Sequence, residues 1–432
     1  MKVRNATILR YMFVGLAVVA LAAGALALKA PDPDALAMAT MIPRPSPPTP
    51  AAPKAPEPFS AQVAMPNVDA ACAEATRAKE KSFTVLACGD ILLARTPGKR
   101  AAQYGFRYLF KDIKDIVSTA DIAFANLETP ASYLGAPYPG KPENVTFRAD
   151  PATLFGIAWA GFDVVSLANN HINDYGPRAV EETLDYLKLL GIQSGGVGRS
   201  IEEARKPAIV IRDGVSFAFL AYAVPAYSII GATGSLSGAA LTRAEERLHG
   251  PIPPLPPATN PDSSRNRGTG VALATRENII ADIQHVKASL APDYLFVSVH
   301  WGEEHQRIPD TVQRILGRAA IDAGATAVLG HHPHVLQSLE RYHGGLIIYS
   351  LGNFIFDMAA TTTYETAALS LVLAGGRLIR ADILPLRIER DSYAPALVIG
   401  ADAIARLNDL ARWSARFETD ILVEGSIGHL YF

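Results

Sequence analysis

Cysteine is almost missing from this 432-residue chain: Cys72 and Cys88 are the only two. Two cysteines cannot build the disulfide framework that small secreted domains lean on, so the fold must rest on an ordinary apolar core. Charge of one sign is missing as well. Lys and Arg number 40 against 42 Asp and Glu, a formal charge of −2, and no basic run carries interleaved aromatics. That speaks against nucleic acid as a partner. Long apolar runs are scarce, with one stretch from Tyr11 to Leu28. The 49% hydrophobic content otherwise suits a well-buried soluble α/β domain.

The apolar run follows Lys2, Arg4 and Arg10 and meets no charge before Lys29. Basic residues ahead of such a run favour a cytoplasmic N-terminus and an exported remainder. Residues 1–30 are therefore expected to be a single-pass membrane anchor or export signal. A retained anchor is the favoured form, and the small residues Ala25, Ala27 and Ala30 leave cleavage open. Residues 31–81 are dense in proline and alanine, which makes an extended spacer and no core. In exported sequence Cys72 and Cys88 can pair, although Cys88 on an apolar strand is equally natural as a lone buried thiol.

From residue 82 the chain alternates strand and helix. Strands are expected at Ser82–Cys88, Asp121–Asn126, Asp163–Ala168, Ala208–Ile211, Phe217–Tyr222, Tyr294–Val299, Ala325–Leu329 and Leu346–Leu351. A hairpin is expected at Glu365–Ala374 and Leu378–Arg387. Helical spacing occupies Phe106–Val117, Pro151–Ala160, Pro177–Leu190, Arg276–Leu290 and Asp310–Ala323. This pattern predicts a layered α/β domain over residues 82–388. Residues 224–270 break it as an insertion or long loop, and 389–432 read as a helical tail.

Polar groups sit where these strands end. Asp90, Glu128, Asn170, His171 and His300 each follow an apolar run, and Val328–Gln337 reads V-L-G-H-H-P-H-V-L-Q. On an extended backbone, His332 and His334 would point to the same side. Ligands of α/β sheets gather at the carboxyl edge of the strands, so these groups can converge there. Carboxylates, an amide oxygen and imidazoles without sulfur suit Mn, Zn or Fe, as one ion or as two sharing a carboxylate. Asp174 lies three residues after His171, where it can orient the imidazole as a general acid or cap the next helix. Arg95, Arg148, Arg307 and Asn353 adjoin these motifs as candidate contacts to an anionic substrate, the arginines being equally suited to surface salt bridges.

The segments G-D-I-L-L-A-R, A-N-L-E-T-P, L-A-N-N-H-I-N-D-Y-G, V-S-V-H-W-G-E-E, G-H-H-P-H-V-L-Q and Y-S-L-G-N-F-I-F-D come in this order. Together they resemble the bacterial capsule-synthesis CapA/PgsA family, which is similar in fold to the calcineurin-like metallophosphoesterases. The resemblance covers about Thr84 to Arg387. It implies a metallophosphoesterase-like β-sandwich flanked by helices, with Asp90, Glu128, Asn170, His300, His332 and His334 as metal ligands. It also implies that His171 and Asp174 are the catalytic pair. The chain departs from the superfamily's first Asp-x-His motif, having Leu92 at the third place. His331 or a solvent molecule could fill that position.

Two functions follow. One is a membrane-anchored extracytoplasmic hydrolase acting on a phosphoester or an anionic capsule polymer. The other is a non-catalytic subunit that guides such a polymer within a membrane synthase complex.

Overall fold

Residues 81–224 and 270–432 are described by a computed structural model. The apolar N-terminal run, the proline-rich spacer, Cys72 and all but the edges of the insertion lie outside the described residues. Among the described residues no helix is long and apolar enough to cross a membrane.

The first half of the chain supplies β1 (Phe83–Ile91), β2 (Ile122–Leu127), β3 (Val164–Ser166), β4 (Gln193–Gly195), β5 (Val197–Gly198), β6 (Ala208–Arg212) and β7 (Val215–Ala223). After β8 (Gly270–Val271) come β9 (Tyr294–His300), β10 (Ala327–His331), β11 (Leu339–Tyr342), β12 (Gly345–Ile348) and β13 (Asn353–Ile355). The last are β14 (Glu365–Ala374), β15 (Arg377–Ile388), β16 (Pro395–Leu397), β17 (Leu422–Glu424) and β18 (Ile427–Tyr431).

One large sheet runs β17-β18-β15-β14-β1-β2-β3-β4, with β13 on β1 and β16 on β15. A second runs β11-β12-β10-β9-β7-β6. In the first sheet β1, β2 and β3 are mutually parallel, and in the second β7, β9 and β10 are. Each set therefore brings its carboxyl ends to one edge.

Alternation along the strands decides the layers. Phe83, Val85 and Ala87 of β1 join Phe217, Phe219 and Phe296 of the second sheet in one core. Phe124 stacks on Phe219 at 5.6 Å between ring centres, and Phe219 on Phe296 at 4.9 Å. The intervening Leu86 and Cys88 face the other way, against residues of helices Leu154–Ala160 and Pro177–Leu189. In the second sheet Ala218, Leu220 and Tyr222 face outward onto helices Arg276–Ser289 and Thr311–Ala323. The result is helices, sheet, sheet, helices, a mixed α/β sandwich as the alternation predicts.

Local departures have local causes. Phe106–Val117 is not one helix but a 3-10 turn, Tyr108–Phe110, followed by the short helix Lys114–Thr119. Arg95–Tyr104 is helical although it buries only Pro97 and Ala101, too little to leave an apolar period. Beyond residue 388 the helix Ala401–Ser414 is present, but β16, β17 and β18 also extend the large sheet through β15. Cys88 is a free, fully buried thiol, and burial pushes its pKa up. Gly89 permits the close approach of β1 to β13, because a Cβ there would lie 2.0 Å from the Gly352 carbonyl oxygen.

Candidate metal centre

Five strand ends build the site. Asp90 lies in β1 beside Asn126 of β2, and Glu128 directly follows β2. Asn169, Asn170 and His171 lie in the loop after β3. From the second sheet, His300 ends β9 in register with His331, which ends β10. The turn after β10 supplies His332 and His334. Their backbone is not extended as the His-x-His spacing suggests: φ is 96° and 57°, in the left-handed region. Two departures of this kind, one on each side of Pro333, cost energy, and the surrounding contacts must hold them in place.

Glu128 is at the centre. It is 0% exposed, and its Oε1 has no hydrogen-bond partner among the described residues. Around that oxygen stand the Nε2 atoms of His300 at 3.8 Å, His334 at 3.9 Å and His171 at 4.0 Å. These are too long for hydrogen bonds. They suit groups that share a cation, given metal–ligand bonds of about 2.0–2.2 Å. Three overlapping sets bring their ligand atoms within 4.8 Å: Glu128/His300/His332, Asp90/Glu128/His334 and Glu304/His332/His334. The donor chemistry fits a divalent transition metal.

A further layer of hydrogen bonds holds the ligands. Asn353 Oδ1 lies 2.8 Å from His334 Nδ1 and accepts its proton, which leaves the Nε2 lone pair on the side facing Glu128. His331 Nδ1 is 3.0 Å from Asp90 Oδ1, which also accepts from Asn126 Nδ2 at 2.9 Å. Asp90 Oδ2 accepts from the backbone N–H of His332 at 3.2 Å. Asn170 Oδ1 meets His300 Nε2 at 2.9 Å, while Asn169 ties its amide to Asn126 and Leu127. Partners of this kind fix tautomer and orientation.

Burial sets the electrostatics. It pushes Glu128 well above the ordinary carboxyl range, with repulsion from Asp90 and Glu304 adding to it. Burial also pushes His300 well down, and His332 to about 3, in each case with help from neighbouring imidazoles. His171 is held down to about 4 by burial against the opposing hydrogen bond of Asp174. Asp90 behaves differently. Burial raises it, but the His331 hydrogen bond and charge outweigh that and hold it below its usual range. Neutral imidazoles facing an unsatisfied carboxylate are a donor set prepared for a cation.

His171 and Asp174 are brought together, with 2.9 Å between Nδ1 and Oδ2. Asp174 also accepts from the Phe147 N–H at 2.7 Å, and the Phe147 ring stacks on His171 at 4.0 Å. Lys141 enters this group unforeseen: its Nζ pairs with Asp174 Oδ1 and lies 3.3 Å from both His171 Nδ1 and the Asn170 carbonyl oxygen. His331, a candidate for the place that Leu92 leaves, turns its Nδ1 to Asp90 and is in none of the three sets, whereas Glu304, which the sequence does not separate from Glu303 in H-W-G-E-E, is in one.

The arginines part company. Arg95 pairs with Asp357 and lies over Phe147 and Phe356, the rings that cover His171 and His334. Arg148 is exposed and stacks on Tyr175 at 4.2 Å, and Arg307 pairs with Glu365 at 3.0 Å over Trp413. Of these two, only Arg307 makes an ion pair. Asn353 is 1% exposed and hydrogen-bonded to His334 and to the Thr363 carbonyl.

The profile of the family described as "Bacterial capsule synthesis protein PGA_cap" matches residues 84–358. The chain is 30% identical over 318 residues to "Capsule biosynthesis protein CapA" of Bacillus anthracis, covering 73% of this chain and 70% of that one. It is 29% identical over 327 residues to "PGA biosynthesis protein CapA" of Bacillus subtilis, covering 75% and 77%. A "Probable polyglutamine synthesis accessory protein" of Mycobacterium tuberculosis is 27% identical over 284 residues, 63% of this chain and 67% of that protein.

Proposed function

This chain belongs to the bacterial capsule synthesis protein PGA_cap family, and on that premise we propose that it is a membrane-anchored extracytoplasmic protein of capsule or poly-γ-glutamate biosynthesis whose buried centre is a metal-dependent hydrolase. The observation that carries the hydrolase reading is Glu128 Oε1, unsatisfied and faced by three imidazole nitrogens at 3.8–4.0 Å. Leaving a buried carboxylate oxygen unpaired costs about 1–3 kcal/mol or more, which a fold does not carry without return. Export and anchoring rest on the basic-flanked apolar run Tyr11–Leu28.

Asp90, Glu128, Asn170, His300, His332 and His334 would hold the ion, of which Mn, Zn and Fe are all compatible identities. When bound, it supplies charge stabilisation and activation of water at neutral pH. The chain's own residues do the rest. His171 presents Nε2 to the centre, and Asp174 holds its Nδ1. That is the arrangement of a group that takes up a proton at Nε2 from an attacking water and passes it to a leaving oxygen of a phosphoester or an anionic polymer. Phe147, stacked on the ring, keeps water off one face.

One observation favours the second reading, a polymer-guiding subunit of a synthase complex. Leu92 is fully buried in an apolar cluster with Phe147 and Phe356, so the usual first-motif imidazole has no counterpart there. The test is metal content of the full-length chain together with hydrolysis of an activated phosphodiester, a phosphomonoester and poly-γ-glutamate. The same assays are run on Asp90→Ala and His171→Ala. Bound transition metal with turnover lost in both variants supports the hydrolase. Bound metal without turnover on any substrate favours the subunit, and no metal after reconstitution overturns the site.

A further inference from the structure

We propose that Glu304 is a ligand of the ion position bounded by His332 and His334, supplying from the open side of the site the coordination that Leu92 cannot give. The inference rests on the metal-centre reading above and adds a residue that the superfamily resemblance does not assign.

A carboxylate oxygen of Glu304 and nitrogens of His332 and His334 lie within 4.8 Å of one another. A side chain 50% exposed could be a solvated surface acid that wanders past the site. The backbone argues otherwise, because the loop after β9 is tied to the histidine turn at successive points. Trp301 N–H donates to the His331 carbonyl at 3.1 Å, and His305 N–H to the Pro333 carbonyl at 2.8 Å. Gln337, fully buried, donates its Nε2 to the Gln306 carbonyl at 2.8 Å. His305 takes a left-handed φ of 65° to make its bond, and Pro333 is the residue between the two histidines. The loop is thus fixed to that turn directly beside Glu304.

Charge points the same way. Glu304 repels the buried Glu128, so this carboxylate is placed where it makes the metal-free site less comfortable. The exposed pairing of Glu304 with His305, 3.9 Å apart, offers little in return. A divalent ion between the two carboxylates would offset that repulsion. The ligand strip then runs Asp90, Glu128, His334, His332, His300, with Glu304 on its solvent side. A ligand half in water can leave to admit a substrate oxygen, which a buried ligand such as Glu128 cannot do.

The experiment strips the full-length chain with a chelator and titrates it with Mn2+ alone, reading stoichiometry by elemental analysis and affinity by calorimetry. Glu304→Gln and, as control, Glu303→Gln are treated identically, and melting of the metal-free proteins checks that each is folded. The expected result is two Mn2+ in the wild-type protein and in Glu303→Gln, with one of them weakened about 10–100-fold in Glu304→Gln. Wild-type stoichiometry and affinity in Glu304→Gln would overturn the assignment while leaving the metal centre standing. Equal weakening in Glu303→Gln would also overturn it, since bulk charge would then explain the effect. No Mn2+ in the wild-type protein removes the metal centre itself, and Glu304 with it.

Discussion

Lys141 and Asp174, 33 residues apart in the chain, form an ion pair at the edge of the metal centre. Asp174 gives its other oxygen to His171 Nδ1, so one carboxylate serves a cation and an imidazole together. Lys141 itself opposes protonation of His171.

Replacing Lys141 with Met therefore has two expected effects. The His171 pKa rises from about 4 but stops short of its ordinary 6.5, because burial, the larger cause, remains. Turnover falls about 10–100-fold as Asp174 loses its second anchor, and Lys141→Arg recovers part of it. Titration of the His171 ring resonances beside a rate assay tests this, and an unmoved pKa with an unchanged rate would sink it.

Glu128→Gln should act oppositely on the metal-free and metal-loaded protein. The folded-state pKa of Glu128 is raised, so its contribution to stability is full below its unfolded pKa and is lost as pH rises. Without metal, at pH 8, the amide should be the more stable form by about 1–3 kcal/mol. With Mn2+ at 100 times Kd, the wild-type protein gains about 2.7 kcal/mol and the variant should gain almost none. Thermal melts with and without Mn2+ decide it; a metal-dependent rise that survives in Glu128→Gln counts against the central role of this carboxylate.

The histidines set the acid limb. His171 and His332 are depressed to about 4 and about 3 from 6.5, so between those limits the unfolded chain binds more protons than the folded one. Stability of the metal-free protein should fall as pH drops from 6.5 toward 4 and be fully present above 6.5. Urea melts across that range measure it, and a flat profile would contradict the burial assigned to these rings.

Leu92→His places an imidazole where the superfamily's first motif has one. Here the side chain belongs to the apolar cluster of Ala94, Phe147, Phe356 and Ile388. The expected outcome is a loss of about 2–4 kcal/mol with no additional ion bound. Denaturant melts and metal analysis of the variant test it; an extra equivalent of metal would show that the cluster opens to the site.

Much of this was legible in the sequence because parallel strands end in the polar residues that the fold gathers. Asp90, Glu128, Asn170, His171 and His300 each follow an apolar run, and the structure gathers all five. Lys141 escaped because its place is decided by a loop that folds back onto the turn after β3, with no periodicity to betray it. His332 and His334 were found by spacing while their backbone was misjudged: left-handed φ is a property of the contacts around Pro333, not of the pattern. The strands β17 and β18 follow a helix of clear period, yet β17 has three residues and buries none of them. Arg148 and Arg307 have alike chemistry in the sequence, and only the fold decides that one stacks on Tyr175 and the other pairs with Glu365.

The two sheets bring different chemistry to their common edge. At the carboxyl ends of the large sheet's strands stand the oxygens of Asp90, Glu128 and Asn170, and at those of the second sheet the nitrogens of His300, His332 and His334. Of the three clusters, the two that include Glu128 draw on both sheets. A metal held at Glu128 would therefore report that the two sheets have met, and during synthesis the contact between Asp90 and His331, 241 residues apart, cannot form until β10 has emerged and docked.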